Sequence, residues 1–148
     1  MARKLIEIMD TTLRDGEQTS GVSYTPNEKL TIAKFLIDKL NIDRIEVASA
    51  KVSDGELESV KKITNWAKKN NKINCIEVLT FVDNGLSIDW ILRANCKVQN
   101  LLTKGSLNHL KYQLKKTPKD HFNDISKVLK KASAKKIITN VYLSLIHI

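Results

Sequence analysis

Strand-like and helix-like segments alternate along this chain, five strands with one or two helices between each pair. Leu5 to Met9 is a short apolar run, followed by the polar stretch DTTLRDGEQTSGVSYTP. That stretch ends in a helix start: Thr25 as N-cap, Pro26 at the first helical position and Glu28 closing a capping box. Leu30, Ala33, Leu36, Ile37 and Leu40 then recur at helical spacing. Arg44 to Ala48 reads as the second strand. Ser53 with Glu56 offers another capping box, for a helix with Leu57, Val60, Ile63 and Ala67 on one face. Cys75 to Phe81 is the third strand, Ser87 to Ala94 a helix, and Val98 to Leu102 the fourth strand, with a short helix from Ser106. Thr117-Pro118 opens a longer helix carrying Phe122, Ile125, Val128, Leu129 and Ala132, and Ile137 to Leu143 is the fifth strand.

Such alternation predicts an α/β fold of parallel βα units joined by right-handed crossovers. Two architectures satisfy it. A doubly wound sheet can be complete near 148 residues, whereas a (β/α)8 barrel takes about 250, so this chain would hold only its first half. Periodicity does not choose between them. With 42% hydrophobic and 28% charged residues, and with no internal repeat or linker, a single globular unit is expected.

The formal charge of +9 raises the alternative of a basic nucleic-acid-binding module. Its make-up argues against that partner, because 21 of the 25 basic residues are Lys and only Arg3, Arg14, Arg44 and Arg93 carry the guanidinium fork. Aromatic residues that might stack on bases are 5%. Pairs such as Lys61/Lys62, Lys68/Lys69 and Lys130/Lys131 fall on predicted helices and read as solvated faces. No apolar run is long enough for a membrane span and no secretory signal is visible, so the expected location is cytoplasmic, with no membrane partner. Cys75 and Cys96 have no CxxC partner, and reduced thiols inside the fold are expected. The five glycines form neither a GxGxxG nor a Walker A pattern.

Asp10 to Gln18 follows the first strand directly, and in a βα barrel the carboxyl ends of the strands form the active face. Within it, Asp15 offers a hard oxygen ligand for a divalent cation, and Arg14 a guanidinium suited to a carbonyl or enolate oxygen. An ordinary salt-bridged loop fits the same residues, since one carboxylate is not a metal site. Lys104 fits either an anionic ligand or solvent. His109 and His121 lie outside any metal-ligand spacing and read as surface or partly buried structural residues.

The run DTTLRDGEQ, with IEVASAKVSDGE at 45 to 56, resembles the metal-dependent barrel superfamily of 2-isopropylmalate, homocitrate and citramalate synthases. VLTFVD at 78 to 83, QNLLTKGSLNHL at 99 to 110 and TNVYL at 139 to 143 are most similar to the citramalate and 2-isopropylmalate synthase branch. The resemblance implies the first half of a (β/α)8 TIM barrel over residues 1–143. It also implies an acyltransferase that condenses acetyl-CoA with a 2-oxo acid, pyruvate or 2-oxoisovalerate, in branched-chain amino-acid biosynthesis. Asp15 matches the family's metal ligand, for Mg, Mn or Zn, and Arg14 the catalytic residue that steadies the substrate oxygen. Gln18 and Glu46 match positions lining the site; Leu79, Leu102 and Tyr142 match the apolar pocket around the substrate's methyl end.

The resemblance further implies that a His-x-His pair of metal ligands lies on a later strand, beyond this chain. The chain alone is therefore expected to be inert, and the full-length protein to be a homodimer built through its other parts. Residues 144–148 are expected to be a non-native tail: from Leu143 onward the sequence looks like translated sequencing adaptor, Ser144 stands where the family has a Glu, and His147 is assigned no role.

Overall fold

A computed structural model describes residues 6–144. Five parallel strands, β1 (Met9–Asp10), β2 (Arg44–Ser49), β3 (Ile76–Phe81), β4 (Val98–Lys104) and β5 (Ile138–Ser144), form one sheet in the order β1-β2-β3-β4-β5. Sequential order decides the architecture. A doubly wound sheet must reverse its direction of growth once, whereas here each strand is added beside its predecessor, so crossovers of one hand put every helix on one face. The sheet is an open half-barrel.

The helices are α1 (Pro26–Lys34), α2 (Asp54–Lys69), α3 (Leu86–Arg93) and α4 (Pro118–Ala134). Outward strand residues Ile45, Val47, Ile76, Val78 and Leu101 are buried in one core with Ala33, Val60, Ile63, Ile88, Ile91, Val128 and Ala132 from the helices. Both cap-then-Pro signals are realised as full capping boxes, Thr25 with Glu28 and Thr117 with Asp120. At α2 only half of one forms: Ser53 Oγ accepts from the Glu56 amide, but the Glu56 carboxylate binds Lys29 Nζ at 2.6 Å instead.

Four further expectations need correction. The first strand shrinks to Met9 and Asp10, because it has a single neighbour among the described residues and Asp43 takes the Ile8 amide; Leu5 lies outside the described residues. Leu40 leaves the apolar face of its helix. The segment Phe35–Lys39 is a π turn, and the Leu40 amide bonds the Phe35 carbonyl five residues back, which slips the phase and leaves Leu40 52% exposed. On α4 the inward stripe is His121, Ile125, Val128 and Ala132 at i, i+4, i+7 and i+11, so Phe122, one residue off, faces solvent. His121 is accordingly buried, and neither ring nitrogen has a hydrogen-bond partner among the described residues.

Ser144 is the last residue of β5, paired with Lys104; His147 and the rest of 145–148 lie outside the described residues. No helix among the described residues is long and apolar enough to cross a membrane. Cys75 is half-buried and Cys96 buried; both are free thiols, and burial pushes Cys96 up to about 11.

Candidate active site

Because the helices take the outer face, alternate strand residues point into the hollow of the half-barrel. Those residues are polar near the floor: Arg44 and Glu46 on β2, Glu77 on β3, Asn100 on β4 and Asn140 on β5. They form one continuous network. Arg44 donates to both Glu77 carboxylate oxygens at 2.5 and 3.1 Å. Asn140 donates to Glu77 at 3.3 Å and to Asn100 at 2.9 Å, and Asn100 in turn donates to Glu46 at 2.7 Å. Glu46 and Glu77 are both buried, and each carries a charge-assisted bond to an arginine, as buried carboxylates require.

The loop after β1 lies over this floor. Asp10 accepts from the Thr12 amide and hydroxyl, and the amides of Arg14, Asp15 and Gly16 all converge on the Thr11 carbonyl at 3.1, 2.8 and 3.3 Å. A turn that tight throws the Arg14 side chain inward. Its Nε donates to Glu46 at 2.5 Å, and a terminal nitrogen pairs with Asp15 at 2.7 Å. Arg14 is thus held at two of its three nitrogens, leaving the third with no partner among the described residues.

Above them opens a cavity of about 960 Å³ at the carboxyl ends of the strands. Arg14, Asp15, Gln18, Leu79, Leu102 and Tyr142 all line it, so six of the seven positions singled out from the sequence meet in one place. Glu46 does not reach the wall; it sits beneath, holding Arg14. The Tyr142 hydroxyl donates to Met9 Sδ at 2.8 Å, linking β5 back to β1 across the hollow. Burial, and after it the negative charges of Glu46 and Glu77, push this phenol up to about 12, so it is neutral at ordinary pH.

Sequence reasoning missed Asn100, Asn140, Arg44 and Glu77. The signal was a polar residue on the inward-facing side of each strand from β2 to β5, in the first half of that strand. His109, expected to be merely structural, lines the cavity with Lys104, and its buried Nδ1 has no partner among the described residues. The metal expectation has less support from this chain. Asp15 is 59% exposed and already engaged by Arg14, and no cluster of three or more His, Cys, Asp or Glu side chains occurs among the described residues. One carboxylate does not make a metal centre.

The HMGL-like family profile matches residues 5–145. The chain belongs to the HMGL-like family. This HMGL-like chain is 46% identical over 115 residues to the (R)-citramalate synthase of Methanocaldococcus jannaschii, a match covering 76% of this chain and 22% of that protein. It is 42% identical over 120 residues to the 2-isopropylmalate synthase of Pyrococcus furiosus, covering 81% and 23% respectively. The chain therefore spans about a fifth of the length of these relatives. Its fold superposes on the hydroxymethylglutaryl-CoA lyase of Pseudomonas aeruginosa with a TM-score of 0.73 at 17% identity, over 95% of this chain and 46% of the lyase.

Proposed function

We propose that this HMGL-like chain supplies the N-terminal part of the catalytic barrel, residues 1–143, of an acyltransferase that condenses acetyl-CoA with a small 2-oxo acid, pyruvate or 2-oxoisovalerate. The observation that carries the reading is the convergence of Arg14, Asp15, Gln18, Leu79, Leu102 and Tyr142 on one strand-end cavity, in a chain whose relatives bear the names of such synthases.

Each side chain has a role in that reaction. Arg14, oriented by Glu46 and Asp15, directs its remaining N–H groups at an oxygen of the substrate, where negative charge grows as the new carbon–carbon bond forms. A preoriented guanidinium needs no reorganisation at that moment. Gln18 offers an amide to the polar end of the 2-oxo acid. Leu79, Leu102 and the ring of Tyr142 enclose its alkyl end and exclude water, which strengthens the charge interaction beside them. Asp15 would give one oxygen to a divalent ion (Mg, Mn or Zn), the other donors coming from outside the described residues. Isolated, it binds such an ion only weakly. A homodimer assembled through other parts of a longer polypeptide, working in the cytoplasm, completes the proposal.

The test is CoA release from acetyl-CoA with pyruvate or with 2-oxoisovalerate, using both this 148-residue chain and a longer polypeptide that contains it. Turnover is expected only from the longer polypeptide, with Arg14→Met lowering its rate by about 10²- to 10³-fold, the usual cost of losing one oxyanion donor. Ordinary turnover by the short chain, or none by the longer one with either 2-oxo acid, would refute the proposal.

A further inference from the structure

Lysines elsewhere on the described helices are at least partly exposed, but Lys29, one turn into α1, is fully buried. Its ammonium sits between two carboxylates, 2.5 Å from Glu17 and 2.6 Å from Glu56, and also donates to the Leu13 carbonyl at 3.3 Å. These partners belong to two parts of the chain. Leu13 and Glu17 bracket Arg14 and Asp15 in the loop after β1, while Glu56 is in the first turn of α2. Glu17 makes a second tie, accepting from the Tyr24 amide at 2.9 Å just before α1 begins. The Leu13 side chain is itself buried in the core.

Holding α1 to α2 does not need a charge. Apolar residues of similar volume pack two helices equally well or better, because a buried ion pair must first offset its own desolvation. What an ammonium adds is directional binding to a backbone carbonyl and to carboxylates at fixed points. Here those points lie immediately before and two residues after the Arg14-Asp15 pair. Glu56 also forgoes its half of the capping box to take part.

We propose that Lys29 is a positioning residue, clamping the loop that carries Arg14 and Asp15 to α2 so that the guanidinium is held over Glu46. The proposal rests on reading Arg14 and Asp15 as site residues, yet its test uses no substrate and so fails or succeeds separately from that reading. Amide hydrogen exchange and the Arg14 side-chain Nε–H resonance are recorded for the wild-type chain, Lys29→Met and Glu56→Gln.

In Lys29→Met the amides of Arg14, Asp15 and Gly16 are expected to lose protection at least about tenfold more than those of β3 and β4. The Arg14 Nε–H resonance is expected to move toward that of a solvated arginine. Glu56→Gln, which keeps the shape and removes one anchor, should give a smaller change of the same pattern and covers the case in which Lys29→Met does not fold. Uniform loss of protection across the sheet with the Arg14 resonance unmoved would make Lys29 merely structural and overturn the proposal. Unchanged loop protection in Glu56→Gln, together with an unfolded Lys29→Met or one whose loop is equally unchanged, would overturn it as well.

Discussion

Arg14 illustrates how one side chain serves both stability and chemistry. Glu46 is fully buried and, among the described residues, its only cationic partner is Arg14. Removing one member of a buried pair leaves an uncompensated charge, so Arg14→Met is expected to lower the unfolding free energy by about 3 kcal/mol, whereas Arg14→Met/Glu46→Leu should recover most of it. Urea unfolding of the two variants measures both. Tyr142 supplies a pH signature. Its folded-state pKa is raised, to about 12, so its contribution is fully present below the ordinary phenol range and is lost as pH rises through about 12. A 295 nm titration should lose its last step in Tyr142→Phe, and a difference at lower pH instead would contradict the burial argument. If Leu79 bounds the substrate's alkyl end, Leu79→Ala in the longer polypeptide should shift kcat/KM toward longer 2-oxo acids by about 10- to 100-fold, since each methylene is worth about 1–3 kcal/mol in such pockets.

At the scale of elements, local chemistry was legible where it is self-contained. The Thr25 box is a four-residue signal and formed as read, and the helix start at Thr117-Pro118 formed with a box closed by Asp120 that the reading had not included. The Ser53 box did not complete, because Lys29, distant in sequence, outcompeted the local amide for Glu56. The start of α3 carries no such signal at its own N-terminus. Its stop-gap is Asp83, whose carboxylate accepts from the Ser87 amide and hydroxyl and from Lys51 at 2.9 Å. Burial alone would raise the Asp83 pKa, but the bonds from Lys51 and Ser87 outweigh it and the net shift is downward. A lowered folded pKa means the stabilisation holds above the ordinary carboxylate range and is lost as pH falls through the folded value. Asp83→Ala is expected to cost about 1 kcal/mol, as cap removals do, and to flatten the acid limb of the stability profile measured by thermal unfolding from neutral pH downward.

For the whole molecule, the half-barrel leaves a seven-residue strand, β5, hydrogen-bonded on one side only among the described residues, with Ile138, Val141 and Leu143 each at least half exposed. An unpaired edge with apolar residues invites pairing with another chain. The 148-residue chain is expected to self-associate in light scattering, and Val141→Lys, which puts a charge on that edge, to reduce the association. A wild-type chain that stays monomeric at high concentration would contradict this expectation.

The order of elements, the parallel direction and the residues of the site loop followed from the sequence alone, because capping, periodicity and motif are local properties written in consecutive residues. Which architecture they built was a matter of strand order. Periodicity left the doubly wound alternative open, the family resemblance implied the half-barrel, and the sheet, growing in one direction, bore that out. The same limit applies within the site. Asn100, Asn140, Glu46 and Glu77 are separated by up to 63 residues along the chain between bonded partners, and a hydrogen bond over that span exists only once the curved sheet has brought those strands side by side. The structure likewise put His121 on the inward stripe of α4 and turned Leu40 out, since which stripe faces the core and where a π turn slips the phase are settled only when the helix packs.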